Sequence, residues 1–234
     1  FVTGTMKYDN IPTRIDESIS KGLAELFHFN DDDLVLIGGS THAGEEEILI
    51  RVFERLKETF PNLKLIIAPR HIERTGDVSR LIEKMGFIPV LKTRLEGSNY
   101  NCQNRKKEII LIDTVGDLEK IYSLSNYVFV GKSLVPSGGQ NMMEPAGLGK
   151  PVVFGPHTFN FKEETGLLLK NSAAKMVGTE DELFKAIEFF IKNPDAAKEM
   201  GLKAQKVVNE KRGATEKNIE IIGKILAKKS SGKL

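Results

Sequence analysis

Short apolar runs alternate with helical patterns along most of this chain of 234 residues. Each run is short enough for a buried strand, and the runs cover residues 34–37, 63–68, 87–91, 109–112, 127–130 and 151–154. Apolar residues at helical spacing lie between them, at residues 45–60, 77–85 and 118–124. Strands that alternate with helices indicate βαβ units. The sequence therefore predicts an α/β fold, a Rossmann-like parallel sheet with helices on both faces.

The composition fits a globular domain that buries a sizeable core without covalent cross-links. The net charge of +2 does not favour a general nucleic-acid binder, so no nucleic-acid partner is expected. Cys102 is the only cysteine, which excludes an intrachain disulfide. No apolar stretch reaches the about 20 residues of a membrane-spanning helix, so this chain alone is expected to be soluble.

The chain divides into three parts by its pattern of apolar and polar residues. Residues 1–30 are interpreted as an interdomain linker and entry segment. Residues 31–178 are interpreted as the Rossmann-like domain. Residues 179–234 are interpreted as C-terminal helices that pack on this domain and end in a basic tail, with Lys228, Lys229 and Lys233.

Local signals predict the less regular segments. Residues 92–107 are polar and predict a mobile loop, which ends in the basic residues 105–107. A capping box at residues 179–182 begins a helix, and a second helix follows Pro194 with Gly201 as its expected weak point. Residues 214–227 predict the last helix.

Unusual residues follow four of the predicted strands. These loops cover residues 38–42, 69–71, 114–117 and 138–144. Right-handed crossovers place the carboxyl ends of parallel strands at one edge of the sheet, where ligands bind. The four loops together indicate a small-molecule site at that edge.

Two of these loops carry side chains with clear binding chemistry. Residues 138–141 contain two glycines before a short helix that carries Glu144, whose carboxylate can accept hydrogen bonds from two ribose hydroxyls. The alternative role of Glu144 is to complement the positive end of the helix. Arg70 can pair with a phosphate or stack on a base, or it can form a surface ion pair with Glu73.

The loop at residues 38–42 permits two interpretations. Its small residues and the helix that follows suit an anion, but an ordinary capped turn with the acidic residues 45–47 in the first helical turn fits as well. The four histidines are scattered and no cysteine cluster supports them, so no metal site is predicted.

Seven motifs in a fixed order resemble one family, the 3-deoxy-D-manno-octulosonic acid (Kdo) transferases. They read TGTMKYD (3–9), STHAGEE (40–46), PRHIER (69–74), DTVGDL (113–118), FVGKSLV (129–135), GGQNMMEPA (138–146) and GPHTFNF (155–161). The last matches the family motif residue for residue. The resemblance covers residues 3–161 and identifies the chain as the C-terminal, donor-binding half of such an enzyme.

The resemblance implies a GT-B glycosyltransferase that inverts the donor's anomeric centre, with no cofactor and no metal. The donor is CMP-Kdo, and the acceptor is the tetraacyl lipid A precursor in lipopolysaccharide biosynthesis. By analogy, Lys7 stabilises developing charge in the transition state. The implied CMP contacts are Pro69, Arg70, Val115, Gly116, Asp117, Asn141, Met142, Met143 and Glu144. A further donor-site loop comprises Ser40, Thr41 and His42 with Gly138 and Gly139.

Three residues depart from the family motifs. Gln140 replaces a usual histidine, Lys132 stands where glycine is common, and Met142 replaces a frequent proline. The family's general base, a glutamate, and its membrane-associating region belong to the N-terminal half, which binds the acceptor and is not in this sequence. We therefore expect the chain to bind CMP-Kdo without turnover. The full-length protein is expected at the cytoplasmic face of the Gram-negative inner membrane.

Two other functions remain open from the sequence. Another nucleotide-sugar enzyme, such as a UDP-sugar transferase or a non-hydrolysing 2-epimerase, also fits the early glutamate of the glycine-rich loop. A non-catalytic nucleotide-binding domain is the other alternative. The presence of Arg70, Asn141 and Glu144 together argues against a domain that has lost its binding site. A preference for CMP over UDP would distinguish a Kdo transferase from another nucleotide-sugar enzyme.

Overall fold

The computed structural model describes residues 3–97 and 107–231, with side chains up to residue 227. Its seven strands form one parallel sheet in the order β3-β4-β2-β1-β5-β6-β7. The strands are β1 (Leu34–Thr41), β2 (Leu63–Pro69), β3 (Ile88–Leu91), β4 (Glu108–Leu111), β5 (Tyr127–Val130), β6 (Val152–Phe154) and β7 (Lys175–Met176). The predicted parallel α/β sheet is confirmed.

Ten helices accompany the sheet in the described residues. They are α1 (Glu17–Leu26), α2 (Glu45–Thr59), α3 (Thr75–Lys84), α4 (Lys92–Glu96), α5 (Leu118–Ile121), α6 (Met143–Gly147), α7 (Lys162–Lys170), α8 (Glu180–Lys192), α9 (Pro194–Lys211) and α10 (Ala214–Ser231). None of the helices in the described ranges is long and apolar enough to cross a membrane.

Each central strand contributes side chains to both faces of the sheet. In β1, Val35 and Ile37 belong to one hydrophobic cluster, while Leu36 belongs to the other. Successive side chains of a strand point to opposite faces, so two clusters require cover on both sides. Helix α2 covers the second cluster through Phe53, and α6 covers the first through Met143.

The entry segment is tied to the C-terminal helices. Tyr8 is 1% exposed, and the Asp9 carboxylate accepts hydrogen bonds from the backbone of Gly213 (2.6 Å) and Thr215 (2.7 Å). Hydrogen bonds from Thr215 and Gly213 lower the pKa of Asp9 to about 2. Asp9 therefore caps α10 from a distant part of the sequence and fixes its neighbour Lys7. The three-part division of the chain stays an interpretation.

The prediction of a loop at residues 92–107 is wrong for its first five residues, which form helix α4. Helix α4 begins at Lys92, which is 5% exposed because its ammonium group lies against Asp117, 3.2 Å away. Residues 98–106, which include Cys102, lie outside the described residues, as do the side chains of the basic tail.

Besides α4, the sequence pattern did not predict three further elements. Helix α1 lies in the segment interpreted as a linker, and it is capped by the side chain of Asp16. Strand β7 has two exposed residues and no apolar run, so periodicity could not reveal it. Helix α7 was also missed, because only part of its surface is buried.

Gly201 is not a weak point, because α9 runs through it without a break. The residue is buried where α9 crosses the end of α6, and a methyl group there would overlap the carbonyl oxygen of Gly149. Glycine is therefore required by close approach of two backbones, which a sequence pattern cannot distinguish from helix weakness.

We predict that Gly201→Ala lowers the free energy of unfolding by about 1–3 kcal/mol, because the added methyl group overpacks this crossing. Gly22→Ala is the matched control, since Gly22 is exposed in α1 with no atom within 4 Å of an added methyl group. The control should gain roughly 0.5–1 kcal/mol from helix propensity. Urea unfolding measures both, and a gain in both variants would contradict the close approach.

Candidate functional site

The order of strands reverses beside β1, which pairs with β2 on one side and β5 on the other. Chain connections leave β1 and β5 in opposite directions there, and this opens a crevice at their carboxyl ends. The four loops predicted to carry the site follow β1, β2, β4 and β5. The parallel sheet thus brings them to one edge.

Glu45, the first residue of α2, holds this crevice together. Its buried carboxylate accepts four backbone hydrogen bonds, from His42 (2.9 Å), Lys132 (2.5 Å), Ser133 (2.8 Å) and Leu134 (2.9 Å). Consecutive amides of this kind form a concave anion site, or nest. Here the nest formed by residues 132–134 is filled by the protein's own carboxylate. The sequence suggested only a favourable charge at a helix start.

The glycine-rich loop is attached to the same nest. Lys132 accepts a hydrogen bond from the amide of Gly139 (2.6 Å), and Gly138 accepts one from the amide of Asn160 (3.0 Å). Gly138 has φ of +97°, and a side chain there would collide with Asn160. Glu45 therefore fixes the glycine-rich loop through one intervening residue.

The GPHTFNF loop, residues 155–161, packs on this assembly from the far side. Ser133 accepts hydrogen bonds from Gly155 through its hydroxyl (2.8 Å) and from His157 through its carbonyl (2.9 Å). Phe161 packs on the core, whereas Phe159 is 55% exposed. The loop therefore acts as structural support for the crevice through its backbone.

Asn141 and Glu144 form one hydrogen-bonded unit at the start of α6. The Asn141 side chain accepts a hydrogen bond from the Met143 amide (3.1 Å) and donates one to the Glu144 carboxylate (2.9 Å). This contact fixes the rotamer of Glu144 and leaves its second oxygen for another donor.

Glu144 lies in a partly desolvated position that also feels the charge of Arg70. Burial raises the pKa of Glu144, the hydrogen bond from Asn141 opposes this shift, and the charges of Glu119 and Arg70 act in opposite directions. Within the described residues Arg70 forms no ion pair. The suggested pairing of Arg70 with Glu73 is therefore wrong, and in this segment it is Arg74 that forms an ion pair, with Glu46 at 2.7 Å.

The two methionines among the predicted contacts can offer only their backbone, whereas Asp117 keeps part of its side chain available. Met142 and Met143 are at most 1% exposed, and the sulfur of Met142 lies 3.4 Å from the hydroxyl of Thr165. The Asp117 carboxylate meets Thr114 (2.6 Å) and Lys92 (3.2 Å) through one oxygen, and its second oxygen has no partner among the described residues.

The turn at Val115 and Gly116 is open to solvent beside this edge. Val115 is 80% exposed, and Gly116 has φ of +89°. Pro69, by contrast, is the buried last residue of β2 and orients Arg70. The turn and Arg70 are the accessible parts of these two predicted contact loops.

The segment predicted as a loop at residues 38–42 lies mostly inside β1, which runs to Thr41, and it is strained and largely enclosed. Ser40 has φ of +52°, and Thr41 is fully buried with a hydroxyl that has no partner among the described residues. His42 accepts a hydrogen bond at Nδ1 from the Ala43 amide (2.9 Å). Of this predicted donor-site loop, Ser40 and the far nitrogen of His42 are free to meet a ligand.

Lys7 lies in a 3-10 turn whose position is set by Asp9. Its ammonium forms an ion pair with Glu164 of α7, and this hydrogen bond raises the pKa of Lys7. The Lys7 side chain is 48% exposed, whereas that of Glu164 is 7% exposed. The lysine is thus held at a surface by a buried partner.

The described ranges contain no group of three or more His, Cys, Asp or Glu side chains arranged to hold a metal ion. The prediction of metal-independent chemistry is untested by the structure and stays a prediction.

We predict that Glu45→Gln lowers the free energy of unfolding by roughly 2–4 kcal/mol, because an amide group presents its NH₂ to backbone N–H donors that lose their acceptor. Glu47→Gln in the same helical turn is the control, since its half-exposed carboxylate only pairs with Arg51. It should change stability by less than about 0.5 kcal/mol in urea unfolding. Equal effects of the two variants would contradict the role of Glu45.

No protein-family model matches the chain, but individual proteins and solved structures do. The 3-deoxy-D-manno-octulosonic acid transferase of Haemophilus influenzae is 34% identical over 222 residues, which cover 94% of this chain and 50% of that protein. The chain spans at most half the length of three curated relatives that it matches.

Solved structures show the same fold. The C-terminal CMP-Kdo binding domain of WaaA from Acinetobacter baumannii matches with a TM-score of 0.72 at 26% identity, over 82% of this chain and 98% of that domain. HepE from Anabaena, in complex with UDP and glucose, matches with a TM-score of 0.62 at 17% identity, over 90% of this chain and 52% of HepE. The predicted GT-B glycosyltransferase fold is confirmed. The chain belongs to the 3-deoxy-D-manno-octulosonic acid transferase family and corresponds to the C-terminal domain of such an enzyme.

Proposed function

We propose that this chain binds CMP-Kdo and supplies the donor half of an enzyme that transfers Kdo to the lipid A precursor. The observation that carries the proposal is the match to 98% of the WaaA domain, which is described as CMP-Kdo binding. The loops at the carboxyl edge of the sheet supply a site of suitable chemistry.

Each part of the donor has a complementary group at this edge. Glu144, fixed by Asn141, accepts hydrogen bonds from the ribose hydroxyls. Arg70, exposed and without an ion-pair partner in the described residues, meets the phosphate or the base. The backbone of residues 115–117 and 141–143 completes the contacts around the cytidine.

Lys7 has the chemistry of an electrostatic stabiliser in this proposal. An ammonium group has three N–H donors, so the contact with Glu164 leaves two for charge that develops on the donor during transfer. The reaction inverts the anomeric centre and uses no metal ion or cofactor, because fixed positive groups take the role of a Lewis acid.

The acceptor and the membrane belong to the other half of the protein. The family resemblance assigns the general base and the membrane-associating region to that half, and the chain spans 50% of its Haemophilus influenzae relative. The full-length protein therefore works at the cytoplasmic face of the inner membrane, where its lipid acceptor is present. No nucleic-acid partner is proposed.

Separate calorimetric titrations of the chain with CMP and with UDP test whether the donor is a cytidine nucleotide. We expect CMP to bind more tightly than UDP, with unchanged affinity in excess EDTA. Glu144→Ala should weaken CMP binding more than about tenfold, because a charge-assisted hydrogen bond is lost.

Glu58→Ala is the control for this titration, since Glu58 is exposed near the C-terminal end of α2, away from the site. It should bind CMP as the unchanged chain does. Preferential binding of UDP would replace this proposal with another nucleotide-sugar enzyme. Failure to bind either nucleotide would favour a non-catalytic domain.

The chain alone should not transfer Kdo from CMP-Kdo to the lipid A precursor. Transfer requires a base within hydrogen-bond reach of the acceptor hydroxyl and a second domain that excludes water. An assay with the full-length Haemophilus influenzae relative as positive control checks this. Product that accumulates with the chain alone would contradict the proposal that the general base belongs to the other half of the protein.

A further inference from the structure

Lys132 has a backbone conformation that disfavours every residue except glycine. It follows Gly131 at the carboxyl end of β5 and has φ of +59°. A side chain in this left-handed region costs free energy that glycine avoids. A strained lysine at the ligand-binding edge therefore needs a compensating role.

The surrounding hydrogen bonds prevent the backbone of Lys132 from relaxing. Its amide donates to Glu45 (2.5 Å), and its carbonyl accepts from Gly139 (2.6 Å). The residue thus connects the nest to the glycine-rich loop. Any side chain placed here projects from a fixed point beside that loop.

No acidic side chain in the described residues forms an ion pair with Lys132. Its side chain is only partly buried. The nearby carboxylate of Glu45 is already saturated by four amides. Gly138 and Gly139, which follow in the same loop, carry no side chain that could neutralise the charge of Lys132.

We propose that Lys132 is a donor-specificity residue whose ammonium contacts an anionic group of the bound sugar nucleotide. The inference rests on the proposed function, because it assumes a sugar nucleotide at this edge. The anionic group is either the phosphate or the carboxylate of the sugar. Lys132 then acts together with Arg70, which projects from the end of β2.

The test compares Lys132→Met and Lys132→Gly in calorimetric titrations with cytidine, CMP and freshly prepared CMP-Kdo. Lys132→Met removes the charge, and it should weaken binding of CMP-Kdo about five- to tenfold while cytidine changes less than about twofold. Lys170→Met, at the exposed end of α7, is the control for net charge and should leave all three affinities unchanged.

Lys132→Gly distinguishes a contact between Lys132 and the ligand from a purely structural role of this residue. It should lose the same affinity as Lys132→Met while its midpoint in urea rises above that of the unchanged chain, because the strain is relieved. A purely structural residue would move affinity and stability in the same direction.

The three ligands identify the anion. Weakened binding of both CMP and CMP-Kdo assigns the contact to the phosphate, and weakened binding of CMP-Kdo alone assigns it to the sugar carboxylate. Unchanged affinity for all three ligands, or an equal loss for cytidine, would overturn the inference and leave the proposed function standing. An unchanged chain that binds neither CMP nor CMP-Kdo would overturn both.

Discussion

The buried carboxylate of Glu45 is the interaction on which this edge of the protein depends. Taking a charge out of water is unfavourable unless hydrogen bonds replace the lost solvent. Four backbone amides from two loops do so here. Because Lys132 and Ser133 also hold the glycine-rich and GPHTFNF loops, a single side chain determines the shape of three loops.

The filled nest restricts where a ligand's negative charge can bind. In many α/β proteins, free amides at the switch point receive a phosphate. In this chain Glu45 occupies the amides of residues 132–134, so they are not available to a ligand's phosphate. Such a phosphate has to bind to groups around them. Arg70 and Lys132 are two cations at this edge that form no ion pair within the described residues, and Glu144 remains available for neutral hydroxyls.

The sequence predicted the sheet and the ligand edge because apolar runs mark buried strands and parallel strands end together. It could not predict the role of Glu45, since three adjacent glutamates look equivalent until tertiary structure places Glu45 against the amides of a distant loop and Glu46 against Arg74. The same holds for Gly201, whose neighbour Gly149 is remote in sequence. The nucleotide contacts stay predictions, although the burial of Met142 limits that residue to its backbone.

The most direct test of this account is an NMR titration of the isotope-labelled chain with CMP. We expect the largest amide shifts at Arg70, Gly116 and Asn141. The amides of Ser133 and Leu134 should stay protected from hydrogen exchange by Glu45, with and without CMP. Shifts concentrated in α8 and α9, or loss of protection in the nest as CMP replaces Glu45, would contradict it.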